Sequence, residues 1–163
     1  LNDMLLKLEN EKLDLVISKK TDSYNTNKLE FIKLGELQDI LVTSNNSKYV
    51  SQTINIDLLK TVLLYMPRKG SITYNNFLNA TQLTESELIT SKNITYNAML
   101  ELLQEQDSIG LITKEYIEKE LNNNDVTELK TDFNIPKVEF GIYINKNNRF
   151  SELNKFINTI KGN

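Results

Sequence analysis

The 163 residues are 39% hydrophobic and 25% charged, with a formal net charge of -3, the composition of a soluble globular chain of one domain or two small lobes. The chain holds no cysteine and no histidine, which excludes disulfides, thiol chemistry, His-ligated zinc and His-based triads. The acidic balance argues against direct gripping of phosphate backbones, and no apolar run reaches the ~20 residues of a membrane helix.

Taken in chain order, Leu1, Met4, Leu5 and Leu8 fall at i, i+3, i+4 and i+7, one face of an amphipathic helix. The acidic character of this opening is not that of a signal peptide. It starts inside a helical pattern without an initiator Met, so a fragment of a longer protein is expected. Residues 13–18 read as a short strand carrying Asp14. That acid is either a functional carboxylate or, more simply, a strand-start acid satisfied by backbone N–H groups or a nearby lysine. After a polar loop, residues 29–34 and 39–43 read as a pair of strands separated by Gly35 and Glu36. The stretch "SNNSKYVSQ" has linker composition and marks a first lobe boundary.

Residues 54–59 predict a helical turn and "TVLLY" a strand, stopped by Pro67 and Gly70. A helix follows with Ser71 as its N-cap. "SELITSK" reads as a weak strand, and Ile94, Ala98, Met99, Leu102 and Leu103 as a second amphipathic helix. Residues 107–113 form a turn and strand. "KEYIEKELNNN" predicts a short charged helix with a Glu115–Lys119 pair at i,i+4. Residues 126–130 and 137–145 read as strands. Phe150, Leu153, Phe156, Ile157 and Ile160 close the chain as an amphipathic helix. Strands and helices alternate throughout, which favours a mainly parallel α/β sheet. Residues 1–44 and 137–163 are expected to form one discontinuous lobe and residues 45–136 the other.

This order resembles the effector-binding domain of LysR-type transcriptional regulators. The helix running into "KLDLVIS" is similar to the family's helix before a Leu-Asp-Leu-Ala-Ile strand. "LEFIKLGELQDILVTSNNS" resembles its paired segments before the first crossing between lobes, and "INIDLLKTVLLYMPRKGS" its short helix, strand and turn. "MLELLQEQDSIGLIT" is similar to its helix, turn and Gly-Ile-x-x-Leu-Pro strand, and "VEFGIYINKNNRFSELNKFINTI" to its last crossing strand and closing helix. Thr113 stands where the family usually has Pro, and Asp107-Ser108 where a Gly-rich turn is common. The resemblance implies a type-2 periplasmic-binding-protein-like fold: two α/β lobes joined by two crossover segments, with a ligand in the interlobe cleft. The family's first strands and its N-terminal winged helix-turn-helix are expected upstream of Leu1.

Candidate ligand-binding residues follow from the rule that parallel α/β sheets bind at strand carboxyl ends. They are Ser18, Ser71, Thr73, Ser91, Asn93 and Thr113. Ser71 and Thr73 open a helix, where free N–H groups and the helix dipole suit an anion, although Ser71 also reads simply as an N-cap. Arg68 and Lys69 are available as counter-charge or as solvated loop cations. Asn93 reads as a cap of the Met99 helix or as a pocket residue, and Ser91 and Thr113 have the same two readings. Tyr65, Tyr74, Tyr96, Tyr116 and Tyr143 read as packing residues. No metal site, P-loop or dinucleotide fingerprint is present, and no cofactor is expected.

The resemblance therefore implies a cytoplasmic effector sensor that is not an enzyme. Its expected ligand is a small anionic metabolite. It would assemble as a homodimer or tetramer, with the Leu1–Leu8 and Ile94–Leu103 faces as candidate contacts. It would touch DNA only through the upstream helix-turn-helix. The alternative on the same fold is a transport solute-binding protein.

Overall fold

A computed structural model of the protein describes residues 1–24, 26–88, 91–147 and 151–161. The chain divides into two units, residues 1–37 with 138–163, and residues 38–137.

In the first unit the apolar periodicity of the N-terminus forms α1 (Asn2–Glu9), with Leu5 and Leu8 fully buried. It packs on a three-stranded antiparallel sheet of β1 (Leu15–Lys19), β2 (Leu29–Leu37) and β10 (Val138–Asn145), in the order β1-β10-β2. Residues of β10 alternate faces, as strand geometry requires. Tyr143 joins Leu5, Leu8 and Val16 under α1. Ile142 and Ile144 join Ile157 of α6 (Ser151–Lys161) on the opposite face. Of the closing helix's expected apolar residues, Phe150 lies outside the described residues. The register shifts between Phe140 and Gly141, and a Cβ on Gly141 would lie 2.1 Å from the Ile32 carbonyl oxygen. A glycine is therefore needed where the two backbones meet.

The second unit is built on a five-stranded sheet in the order β6-β5-β7-β3-β8. Its strands are β3 (Asp39–Ser44), β5 (Leu64–Met66), β6 (Ser91–Asn93), β7 (Ile109–Thr113) and β8 (Val126–Glu128). A two-stranded ribbon of β4 (Thr53–Ile54) and β9 (Lys130–Thr131) lies beside it. The helices are α2 (Ile56–Leu59), α3 (Ile72–Thr81), α4 (Tyr96–Glu105) and α5 (Glu118–Asn122). The run Ile40, Leu41, Val42 alternates between two cores. Leu41 joins Phe77 of α3 on one face, while Ile40 and Val42 join Met99 and Leu103 of α4 on the other. Burial on both faces explains why this strand reads as a continuous apolar run.

Three expectations are corrected. Gly35 and Glu36 do not separate one strand from the next. Both lie within β2, which stays paired to β10 as far as Leu37↔Val138. The unit boundary falls between residues 37 and 38, not between 44 and 45, because β3 pairs with β7 and β8 of the second unit. The sheet is mixed, not mainly parallel. The βαβ connections make β5, β6 and β7 parallel, whereas β3 runs antiparallel to both of its neighbours.

Candidate functional site

Registers show which strand ends meet. Met66, the last residue of β5, is opposite Asn93, the last of β6. Strand β7 runs parallel to β5 and ends at Thr113. Thr113 is opposite Asp39, the first residue of antiparallel β3. The carboxyl ends of three parallel strands and the start of a fourth therefore share one end of the sheet, where sheets of this class take ligands.

Helix α3 begins at this end. After β5 the chain turns through Gly70, whose φ of 76° is a left-handed conformation suited to glycine. Ser71 then caps α3, its Oγ accepting the Tyr74 N–H at 3.2 Å. Asp39, which no sequence motif singles out, organises the centre. It is 1% exposed. Its Oδ1 accepts hydrogen bonds from the Thr113 hydroxyl at 2.7 Å and the Thr73 hydroxyl at 3.3 Å. Both bonds are buried, so this acid ties the first turn of α3 to the end of β7.

The expected site residues divide accordingly. Ser71, Thr73, Asn93 and Thr113 come to one end of one sheet. Asn93 does not cap α4, whose N-cap is Thr95. Its amide instead donates to the Pro67 carbonyl at 3.2 Å, joining β6 to the turn after β5. Thr113 makes no side-chain cap to the following 3-10 turn, because its hydroxyl is directed across the sheet to Asp39. Ser91 starts β6 opposite Leu64 and so lies at the other end of that strand; its side chain is outside the described atoms. Ser18 belongs to the other unit, opposite Gly141, and Lys19, not Ser18, ends its strand.

Of the candidate counter-charges, Lys69 is paired with Glu85 and Arg68 is exposed. Burial, then the hydrogen bond to Glu85, raises the Tyr74 hydroxyl above its usual pKa. Tyr65, Tyr74 and Tyr143 are buried packing residues, but Tyr116 is 55% exposed and lies 5.8 Å from the Tyr96 ring. The expected Glu115–Lys119 helical pair is corrected: Glu115 lies in the 3-10 turn Lys114–Tyr116, ahead of α5, and both its carboxylate oxygens accept the Gln38 N–H, at 3.1 and 3.2 Å. Asp14 is exposed, in contrast to buried Asp39.

The same unit carries a cavity of about 460 Å³ walled by β3, the residues after β7 and the segment after β8. In the first unit a recess of about 320 Å³ is lined by Lys20, Tyr24, Phe31 and Tyr143, among others. Among the described residues no group of three or more His, Cys, Asp or Glu could hold a metal. No described helix is long and apolar enough to cross a membrane.

No protein-family model matches the chain, and no curated protein matches it either. Solved structures do. The regulatory domain of OxyR2 from Vibrio vulnificus is 16% identical and superposes with a TM-score of 0.75, over 98% of this chain and 74% of that one. The regulatory domain of MetR, a LysR family regulator from N. meningitidis, is 12% identical with a TM-score of 0.75, over 99% and 78%. The regulatory domain of CcmR from Synechocystis, solved in complex with 2-PG, is 15% identical with a TM-score of 0.77, over 99% and 78%. The chain has the fold of these regulatory domains, the type-2 periplasmic-binding-protein-like arrangement of mixed α/β sheets.

Proposed function

We propose that this chain, with the fold of LysR-family regulatory domains, is the effector-sensing domain of a DNA-binding transcriptional regulator of that type. In this reading it is a binding module and not an enzyme. The observation that carries the reading is the gathering of Ser71, Thr73, Asn93 and Thr113 at the carboxyl ends of β5, β6 and β7, with the N-terminus of α3 among them. A helix start offers N–H groups and partial positive charge, so the ligand is a small anionic metabolite. Thr73 and Thr113 are buried and give their hydroxyl protons to Asp39, which fixes the first turn of α3 before a ligand arrives and leaves the Ser71 hydroxyl and the first-turn N–H groups to donate to the anion. Such preorganisation lowers the ordering cost of binding.

The fold neighbours support a sensing role, since they are regulatory domains and one of them was solved in complex with 2-PG. In this reading the protein acts in the cytoplasm as a homodimer or tetramer and reaches DNA through a helix-turn-helix outside this sequence. The exposed Met4 and Leu6 of α1, at 46% and 50%, support the opening helix as a subunit contact.

The test is a thermal-shift and NMR screen of small carboxylates and phosphates, because a ligand bound to the native state raises apparent stability by mass action. At least one should raise Tm saturably while perturbing the amides of residues 71–74 and 93. Ser71→Ala should weaken that ligand. A screen without any saturable response at the first turn of α3 would overturn the reading.

A further inference from the structure

We infer that the five-stranded unit carries a second binding site, for a small zwitterion such as a free α-amino acid, in the cavity where the chain enters and leaves this unit. The cavity measures about 460 Å³, inside the roughly 300–1,000 Å³ common for small-molecule sites. Ser71, Thr73, Asn93 and Thr113 are not among its walls, and only Asp39, whose carboxylate holds Thr73 and Thr113, belongs to both, so it is a neighbouring cavity and does not rest on that reading.

Its walls are held by hydrogen bonds. Gln38 is the first residue of the unit and Lys137 the last, and both face the cavity. The Gln38 amide donates to the carbonyls of Asp39 at 2.9 Å and Ile135 at 2.8 Å, joining the entering strand to the leaving segment. The Gln38 N–H is itself held by Glu115. Within the leaving segment the Thr131 hydroxyl donates to the Phe133 carbonyl at 2.6 Å, and Asn76 of α3 donates to the Pro136 carbonyl at 2.9 Å. The segment is thus pinned at both ends, and the cavity is not the product of a loose loop.

The charge pattern selects the ligand. Lys114 and Glu128 form an ion pair of 2.6 Å on one wall, with Glu115 beside them and exposed Lys137 on the leaving segment. A ligand of a single sign meets a like charge on one wall. A ligand with a carboxylate for Lys137 and an ammonium for Glu115 or Glu128 matches both, since opposite charges across a site favour the matching partner and like charges exclude the wrong one. A zwitterion seated there touches the entering and the leaving segments together and so reinforces the bridge that Gln38 makes between them.

The experiment is an NMR titration of the full chain with L-alanine, L-serine and L-leucine, run against propionate and propylamine. The expected result is saturable perturbation of residues 38–41 and 128–137 by an amino acid, with neither single-sign relative matching it. Lys137→Ala should weaken the binding roughly fivefold, the scale of a partly exposed ion pair. Lys48→Ala, which removes the same charge from the exposed pair with Asp107, should leave it unchanged. The inference is overturned if no amino acid perturbs those residues saturably, if propionate or propylamine does so equally, or if Lys137→Ala and Lys48→Ala behave alike. A response confined to residues 71–74 and 93 would overturn it while leaving the effector site intact.

Discussion

Strands β3 and β7 of the second unit are buried at every residue, whereas no residue of β2 in the first unit is fully buried. Both regions are rich in apolar residues. The difference comes from position. Strands β3 and β7 are central in a sheet flanked by cores on both faces, while β2 lies at the end of a three-stranded sheet. Apolar residues alone do not decide burial; the number of neighbours a strand acquires does.

The sharpest way to break this comparison is to truncate aliphatic side chains in the two regions. Leu111→Ala in β7 removes a fully buried side chain and should cost about 3 kcal/mol in urea unfolding. Ile17→Ala in β1, 45% exposed, should cost under about 1 kcal/mol. Equal losses would mean that burial does not set the cost of truncation at these two strands.

The glycines give a second contrast. At Gly141 an added Cβ meets backbone, 2.1 Å from the Ile32 oxygen, whereas at Gly110 it meets the Met99 sulfur at 2.7 Å. Backbone cannot step aside and a flexible thioether can. Gly141→Ala should therefore cost about 3 kcal/mol and Gly110→Ala about 1 kcal/mol, read from thermal unfolding.

The two strand-start acids provide a third. Asp39→Ala removes the acceptor of two buried hydroxyl hydrogen bonds and should cost about 2 kcal/mol. Asp14→Ala, at an exposed position, should change stability by under about 0.5 kcal/mol. Ser71→Ala, which removes the α3 cap, falls between them at about 1 kcal/mol.

The smallest effects concern pH. The Thr84 backbone N–H, then Lys60 and the Thr84 hydroxyl, hold the Glu87 carboxyl at about 2, below its ordinary 4.5. In the first unit, hydrogen bonds from Lys20 and then Lys33 lower Glu139. A depressed carboxyl contributes stability above its unfolded pKa and loses it as pH falls through the folded one. Glu87→Gln should accordingly flatten the decline in Tm between about pH 4.5 and 2. Glu139→Gln should flatten it in the same direction, and a pH profile unchanged by either would remove these carboxyls from the acid response.

Much of the architecture is legible in the sequence. The i, i+4, i+7 spacing of Leu1, Leu5 and Leu8 marks α1, and the Met99 and Leu103 spacing marks α4. Ser71 after Gly70 marks a cap that the structure forms. The order of elements carries the resemblance to LysR-type regulators, whose regulatory-domain fold the chain has. Other features are not legible. Asn93 and Thr113 have the composition of caps, yet their side chains bond to Pro67 and Asp39, residues distant in sequence. Asp39 itself leaves one signal, an acid directly before the buried run Ile40, Leu41, Val42. An acid there reads equally well as a solvated strand start, as Asp14 is.

The sequence by itself determined where most helices and strands form and which side of each is apolar, because capping and side-chain periodicity act over a few residues. Only the tertiary structure decided that β3 runs antiparallel between β7 and β8, and that Asp39 therefore meets Thr113 across 74 positions of chain. Pairing between distant strands is chosen by mutual burial and register, and neither is written in any short stretch of residues.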